Sequence, residues 1–116
     1  MDINSVVITG NLVRDITVRP ISYGEGANKV DTKVVNFAIG CDYRQNKVVY
    51  PNCSAFGSNA EFMEKYLNTK GAKVAIQGHL ADDSWTDANG QKQYRTSIVV
   101  DRIIPFSAAA NESPWA

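Results

Sequence analysis

A chain of 116 residues leaves room for one domain and can bury roughly 65% of the surface it exposes when unfolded. Its hydrophobic fraction of 44% and charged fraction of 21% exclude a wholly disordered chain. Twelve Lys and Arg balance twelve Asp and Glu, so only the placement of charge, and not its total, can select a polyanionic partner. No apolar run approaches the roughly 20 residues that cross a bilayer. The opening Met1-Asp2-Ile3-Asn4 carries no basic region, so no secretory signal is expected and the chain reads as cytoplasmic. Cys41 and Cys53 lack a CxxC spacing and read as reduced thiols in apolar runs; with His79 as the single histidine, neither a metal site nor a nucleophilic triad is expected, and no cofactor.

The first apolar run, Val6 to Val13, is short and β-branched and predicts a strand, with Gly10 at a bulge or bend. Ile16, Val18 and Pro20 continue in extended form. Residues 22 to 33 are polar, carry Gly24 and Gly26, and read as a long mobile loop. A second strand is expected over Val34 to Cys41 and a third over Val48 to Phe56, with Pro51 facing an unpaired edge or bulge.

Ser58-Asn59-Ala60-Glu61 has the form of a capping box, with Ser58 as the cap. Ala60, Met63, Tyr66 and Leu67 follow at helical spacing, and a helix packed on a sheet is the expected use of that stripe. Asn68 and Gly71 stop it. Lys73 to Trp85 and Gln93 to Pro105 read as the fourth and fifth strands, joined through Asn89-Gly90, a strong hairpin signal. The expected fold is all-β with one helix: a five-stranded Greek-key OB-fold barrel with the helix between strands three and four. The domain is assigned to residues 1–106 and a flexible C-terminal tail to 107–116.

Aromatic and basic residues cluster along the second to fifth strands. Tyr43 and Arg44 end the second; Lys47, Tyr50 and Phe56 mark the third; Trp85 ends the fourth; Lys92, Tyr94 and Arg95 lie across the hairpin. Single-stranded nucleic acid needs such residue types, because aromatic faces stack bases of any sequence while cations follow phosphates. Strand aromatics are also favoured for packing alone, and about half of those at the strand ends are expected in the core. Phe56, between Ala55 and Gly57, is the most core-like. Trp85, between Asp82-Asp83-Ser84 and Thr86-Asp87, is the least.

The run Ile3 to Asp15 followed by Val18-Arg19 resembles the first strand of bacterial-type single-stranded DNA-binding proteins, an OB-fold family. Val35-Asn36-Phe37-Ala38-Ile39, Asn52-Cys53-Ser54-Ala55-Phe56-Gly57, Ala60-Glu61 with Tyr66-Leu67 and Lys70-Gly71, and Val74 to Leu80 with Trp85 and Asn89-Gly90 fit the same family in the same order. The resemblance implies a non-enzymatic protein that binds single-stranded DNA during replication, recombination and repair, assembled as a homotetramer or a dimer of dimers. It puts base stacking on Tyr43, Tyr50, Phe56 and Trp85 and family cations on Arg19, Lys70 and Lys73; Arg44, Lys47, Lys92 and Arg95 are added from their neighbourhood. The seven cations are expected to share one face.

Two departures stand out. Ala81-Asp82-Asp83-Ser84 lies where many relatives carry Arg or Lys. Because strand neighbours alternate, at most one of the two Asp residues is expected to face DNA. The family's partner-recruiting acidic tail, ending Asp-Ile-Pro-Phe, has no counterpart; Ile103-Ile104-Pro105-Phe106 reads as the end of the fifth strand, as in a truncated form or a tail-less relative. Two rival readings are a dimeric primosomal accessory protein of the same fold, and a structural OB domain without nucleic-acid binding.

Overall fold

The computed structural model describes residues 1–105. The chain order is β1 (Val6–Leu12), β2 (Arg19–Tyr23), a 3-10 turn (Gly26–Asn28), β3 (Val30–Arg44), β4 (Lys47–Val49), β5 (Asn52–Phe56), α1 (Ser58–Tyr66), β6 (Lys73–Thr86) and β7 (Lys92–Pro105). Strand neighbours run β1-β6-β7-β5-β3, and β1 also pairs with β3, so five strands close a ring. That is the OB-fold barrel expected from the sequence. Closure rests on short ladders: Asn11 and Leu12 against Gly40 and Ile39, and a parallel pair, Cys53 with Ile98 and Ser54 with Val99.

The core follows from alternation. Val35, Phe37 and Ile39 of β3, Cys53 and Ala55 of β5, and Val74 and Ile76 of β6 point inward and are buried. α1 adds Ala60 and Met63, with Leu67 just beyond it, and closes one end of the barrel. Each such large side chain contributes about 1.5–3 kcal/mol through burial. Burial pushes the Cys53 thiol up to about 12, so this cysteine behaves as a small apolar residue.

Several local expectations are corrected. Residues 22 to 33 are not one long loop: only 24–29 lie outside the strands, and Arg19–Tyr23 and the first part of β3 form a hairpin arm, paired from Arg19↔Val34 to Tyr23↔Val30. Val30, Thr32 and Val34 alternate as a strand requires, and the glycines only punctuate the turn. The expected third strand is broken at Tyr50-Pro51 into β4 and β5, since Pro51 cannot donate to a ladder. Gly10 is not at a bulge. The β1–β6 register runs through it unbroken, and a Cβ there would lie 2.6 Å from the Gly40 carbonyl oxygen, so glycine lets β1 cross close to β3. The helix cap is Gly57 rather than Ser58. Gly57 has φ 59 and ψ −126, a conformation that only glycine adopts at little cost, and no side chain caps the helix. Tyr66 leaves the packed stripe; it is exposed and its ring lies 5.0 Å from that of Phe62.

Candidate nucleic-acid interface

The inward alternation fixes what faces outward. Residues directly opposite on paired strands project to the same side. Phe56 is opposite Val34, and Val34 is opposite Arg19, so a cation, a buried valine and an aromatic ring form one row across β2, β3 and β5. The next rows on this face are Asn36 with Ser54 and Ala38 with Asn52. Ser54 Oγ donates to Asn36 Oδ1 at 2.7 Å, which fixes the amide on the sheet surface. The Tyr50 ring continues the face: its Cε1 lies 3.2 Å from where a Cβ on Gly40 would stand, so the missing side chain leaves room for the phenol against β3.

The sequence made Phe56 the most core-like aromatic. It is instead 46% exposed, because Cys53 and Ala55 take the inward positions of β5 and leave Phe56 outside. Trp85 is 47% exposed, as its polar neighbours predict.

β6 and β7 run on past the barrel as a two-stranded ribbon. The parallel pair Ser54 and Val99 ties its outer side to the face just described. On that side lie Ser97, Asp83 opposite Arg95, and Trp85. The Arg95 guanidinium stands 5.7 Å over the Trp85 ring, a spacing suited to a cation–π contact. A groove of about 370 Å³ lies between this ribbon, the outer residues of β3 and β5, and the segment after β1; Arg14, Asp15, Asp83 and Arg95 put charge on its walls.

The seven expected cations do not share one face. Arg19 and Arg95 flank the outer face. Lys92 lies on the other side of the ribbon, opposite Thr86, with its ammonium 5.6 Å over the Tyr94 ring. Arg44 and Lys47 sit opposite each other at the β3–β4 hairpin, beside exposed Tyr43. Lys73 pairs with Asn11 where β6 begins, and Lys70 precedes it in a turn whose backbone N–H donates to Asp15 Oδ1 at 2.7 Å. Both are on the flank formed by β1 and β6. Asp82 and Asp83 separate as expected: Asp83 shares a side with Trp85, while Asp82 faces away and accepts from Thr96 Oγ1 at 2.8 Å.

The ribbon tip is built around Asp87. Its Oδ1 accepts from the backbone N–H groups of Asn89 and Gln91, each at 2.9 Å, and its Oδ2 accepts from Gln93 Nε2 at 3.0 Å. The Gln91 bond, then the Gln93 and Asn89 bonds, hold its carboxyl below the usual carboxylate range. Sequence reasoning missed Arg14, Asn36 and Ser54. The signal for the last two was their period of two against buried Val35, Phe37, Cys53 and Ala55; Arg14 had no such signal.

The description of the single-strand binding protein family matches residues 3–106. The chain belongs to that family. It is 33% identical over 101 residues to the single-stranded DNA-binding protein of Wolinella succinogenes, covering 86% of this chain and 62% of that one. It is 36% identical to the Borreliella burgdorferi protein of the same name, covering 95% and 74%, and 30% identical to that of Helicobacter hepaticus, covering 97% and 67%. The chain thus spans about three-fifths of the Wolinella relative's length. Within the family's OB-fold, the four aromatic positions named from the resemblance are all exposed. Among the described residues no group of three or more His, Cys, Asp or Glu could hold a metal ion, and no helix is long and apolar enough to cross a membrane.

Proposed function

We propose that this protein binds single-stranded DNA without regard to sequence and protects it during replication, recombination and repair. The observation that carries the reading is the strand register that puts Phe56, Arg19, Trp85 and Arg95 on one side of the molecule, with Tyr50 packed against the same face at Gly40. Bases stack on the exposed rings of Tyr50, Phe56 and Trp85, and on Tyr43 at the neighbouring hairpin. Arg19, Arg95, Arg44 and Lys47 meet phosphates; Lys92, Lys70 and Lys73 serve a strand that continues around the flanks.

The protein acts as a homo-oligomer, a tetramer by family. Supporting this, Val6 to Gly10 of β1 pair with β6 along one edge and carry no ladder along the other, and Val7 is 76% exposed beside it. An uncovered strand edge is a template for a second copy. The site of action is the cytoplasm, where the DNA lies.

The test is a titration with oligo-dT and with duplex of equal length, followed by Trp fluorescence, alongside a solution mass. Binding of oligo-dT that quenches Trp85 and weakens with salt supports the reading. Unchanged fluorescence and no binding would leave a structural OB domain. A dimeric mass with weak binding would favour the primosomal accessory protein. Trp115 lies outside the described residues, so Trp85→Ala is run in parallel to separate the two signals.

A further inference from the structure

The β2–β3 arm carries a further exposed aromatic ring, Tyr23, that is not among the four named stacking positions. Tyr23 is opposite Val30 at the arm's far end; they are 60% and 42% exposed. Counting back in twos, Tyr23, Ile21 and Arg19 share one side of β2, and Arg19 is in the same row as Phe56. The Tyr23 ring therefore continues the outer face past Phe56. From strand rise and spacing the two positions lie about 17 Å apart.

Among the described residues the Tyr23 side chain has no hydrogen bond or ring partner. Its platform is nonetheless well held. Five residue pairs join β2 to β3, Ser22 Oγ donates to Asp31 Oδ1 at 2.6 Å, and the Gly57 N–H donates to the Lys33 carbonyl at 2.9 Å where the arm meets the barrel. Exposed Lys29 follows the 3-10 turn beside the tip. An aromatic ring on a rigid ribbon, next to a cation and in line with Arg19 and Phe56, has the parts of a base-stacking site.

We infer that Tyr23 is a further stacking platform, which takes a base of the single strand after it leaves Phe56 and crosses Arg19. The inference rests on the proposed DNA binding. A cross-strand Tyr–Val pair can also serve the hairpin alone, and the two roles separate by the length of DNA required. A strand too short to span from Phe56 to the arm gains nothing from Tyr23.

The experiment measures fluorescence anisotropy of labelled oligo-dT of increasing length with the full chain, Tyr23→Val and Tyr23→Phe, with melting temperature and solution mass recorded for each. Tyr23→Val gives Val30 a β-branched, strand-favouring partner and removes the ring. The expected result is equal affinity for the shortest oligomers, then a loss of about five- to 150-fold in Tyr23→Val once the oligomer reaches the arm, the span of one base–aromatic stack. Tyr23→Phe should follow the parent protein at every length. No loss at any length would overturn the inference, as would an equal loss at all lengths or a loss that tracks a change in mass or melting temperature. If the parent protein itself fails to bind oligo-dT, the DNA-binding reading falls first, and that result is distinct from all the others.

Discussion

Asp83 and Asp82 are adjacent in sequence yet on opposite sides of the β6–β7 ribbon, so a charge reversal at each asks whether DNA follows the Trp85 side. Asp83 is on the wall of the groove with Arg14 and Arg95. Asp82 faces away and is bonded to Thr96. Replacing either by Lys changes the local charge by two units. For a phosphate about 7 Å from position 83, in water-like dielectric with a Debye length of about 8 Å, that is about 0.5 kcal/mol, or roughly twofold tighter binding near physiological salt. From position 82, with the phosphate at about 12 Å, the same change gives only about 1.3-fold. One extra neutralised phosphate also steepens the dependence of log K on log salt by about 0.7, so the Asp83→Lys advantage should grow to about fivefold near 50 mM salt. The assay is oligo-dT binding by anisotropy for both variants at several salt concentrations, with melting temperatures to exclude damage. Equal effects of the two substitutions, or a larger effect at position 82, would refute the assignment of the strand to this side and remove Trp85 from its path.

Trp85→Ala should cost about 1–3 kcal/mol of oligo-dT binding, the range for one base–aromatic stack, read in the same assay. Ser58→Ala should leave urea stability nearly unchanged, because no side-chain cap bond is made there, whereas Gly57→Ala should cost about 1–3 kcal/mol by forcing a side chain into a positive-φ conformation; equal costs would return the cap to Ser58. At pH 8 iodoacetamide should alkylate half-buried Cys41 well before Cys53, whose thiol is buried and pushed up to about 12; mass spectrometry of the peptides reads the order. Asp87 has its carboxyl held below the ordinary value of 3.8, so the order it lends the ribbon tip is complete above that pH and is lost as pH falls through the lower folded value. The amide shifts of Asn89 and Gln91 should therefore titrate with a midpoint below pH 3.8, and Asp87→Ala should abolish that titration.

The barrel was legible in the sequence because its strands carry β-branched runs with clean breaks, and its one helix has an apolar stripe between stop signals. The arm was not, because Gly24 and Gly26 and the surrounding polar residues hide the alternation of Val30, Thr32 and Val34. The helix cap went to Gly57 because a backbone angle, invisible in a Gly-Ser pair, decided it. Of the site, the residue types could be read but not their sides. Tyr50 and Phe56 face outward through strand parity, which a break at Pro51 interrupts. Lys92 and Arg95, three apart on β7, were grouped in sequence and are divided by the pleat. The β6–β7 register shift at Gln77/Gly78 also separates Lys73 from Trp85, so counting in twos from one end of β6 does not pair the ladder correctly at the other.

The parallel seam between β5 and β7 has a consequence for how the chain is made. On the edge away from β3, Cys53 and Ser54 find partners only at Ile98 and Val99, and β1 finds its long ladder only at residues 73 to 78. During synthesis β5 must wait with an open edge while α1, β6 and most of β7 emerge. Contacts this distant in sequence close slowly, since loop entropy is lost before the contacts form. The waiting edge of β5 is Cys53, Ala55 and Phe56 with their neighbours, the same short strand that later carries an exposed ring. A nascent chain halted before residue 98 should therefore hold β3 and β5 as a sticky half-barrel, and recruitment of chaperones should end abruptly once the final strand is released.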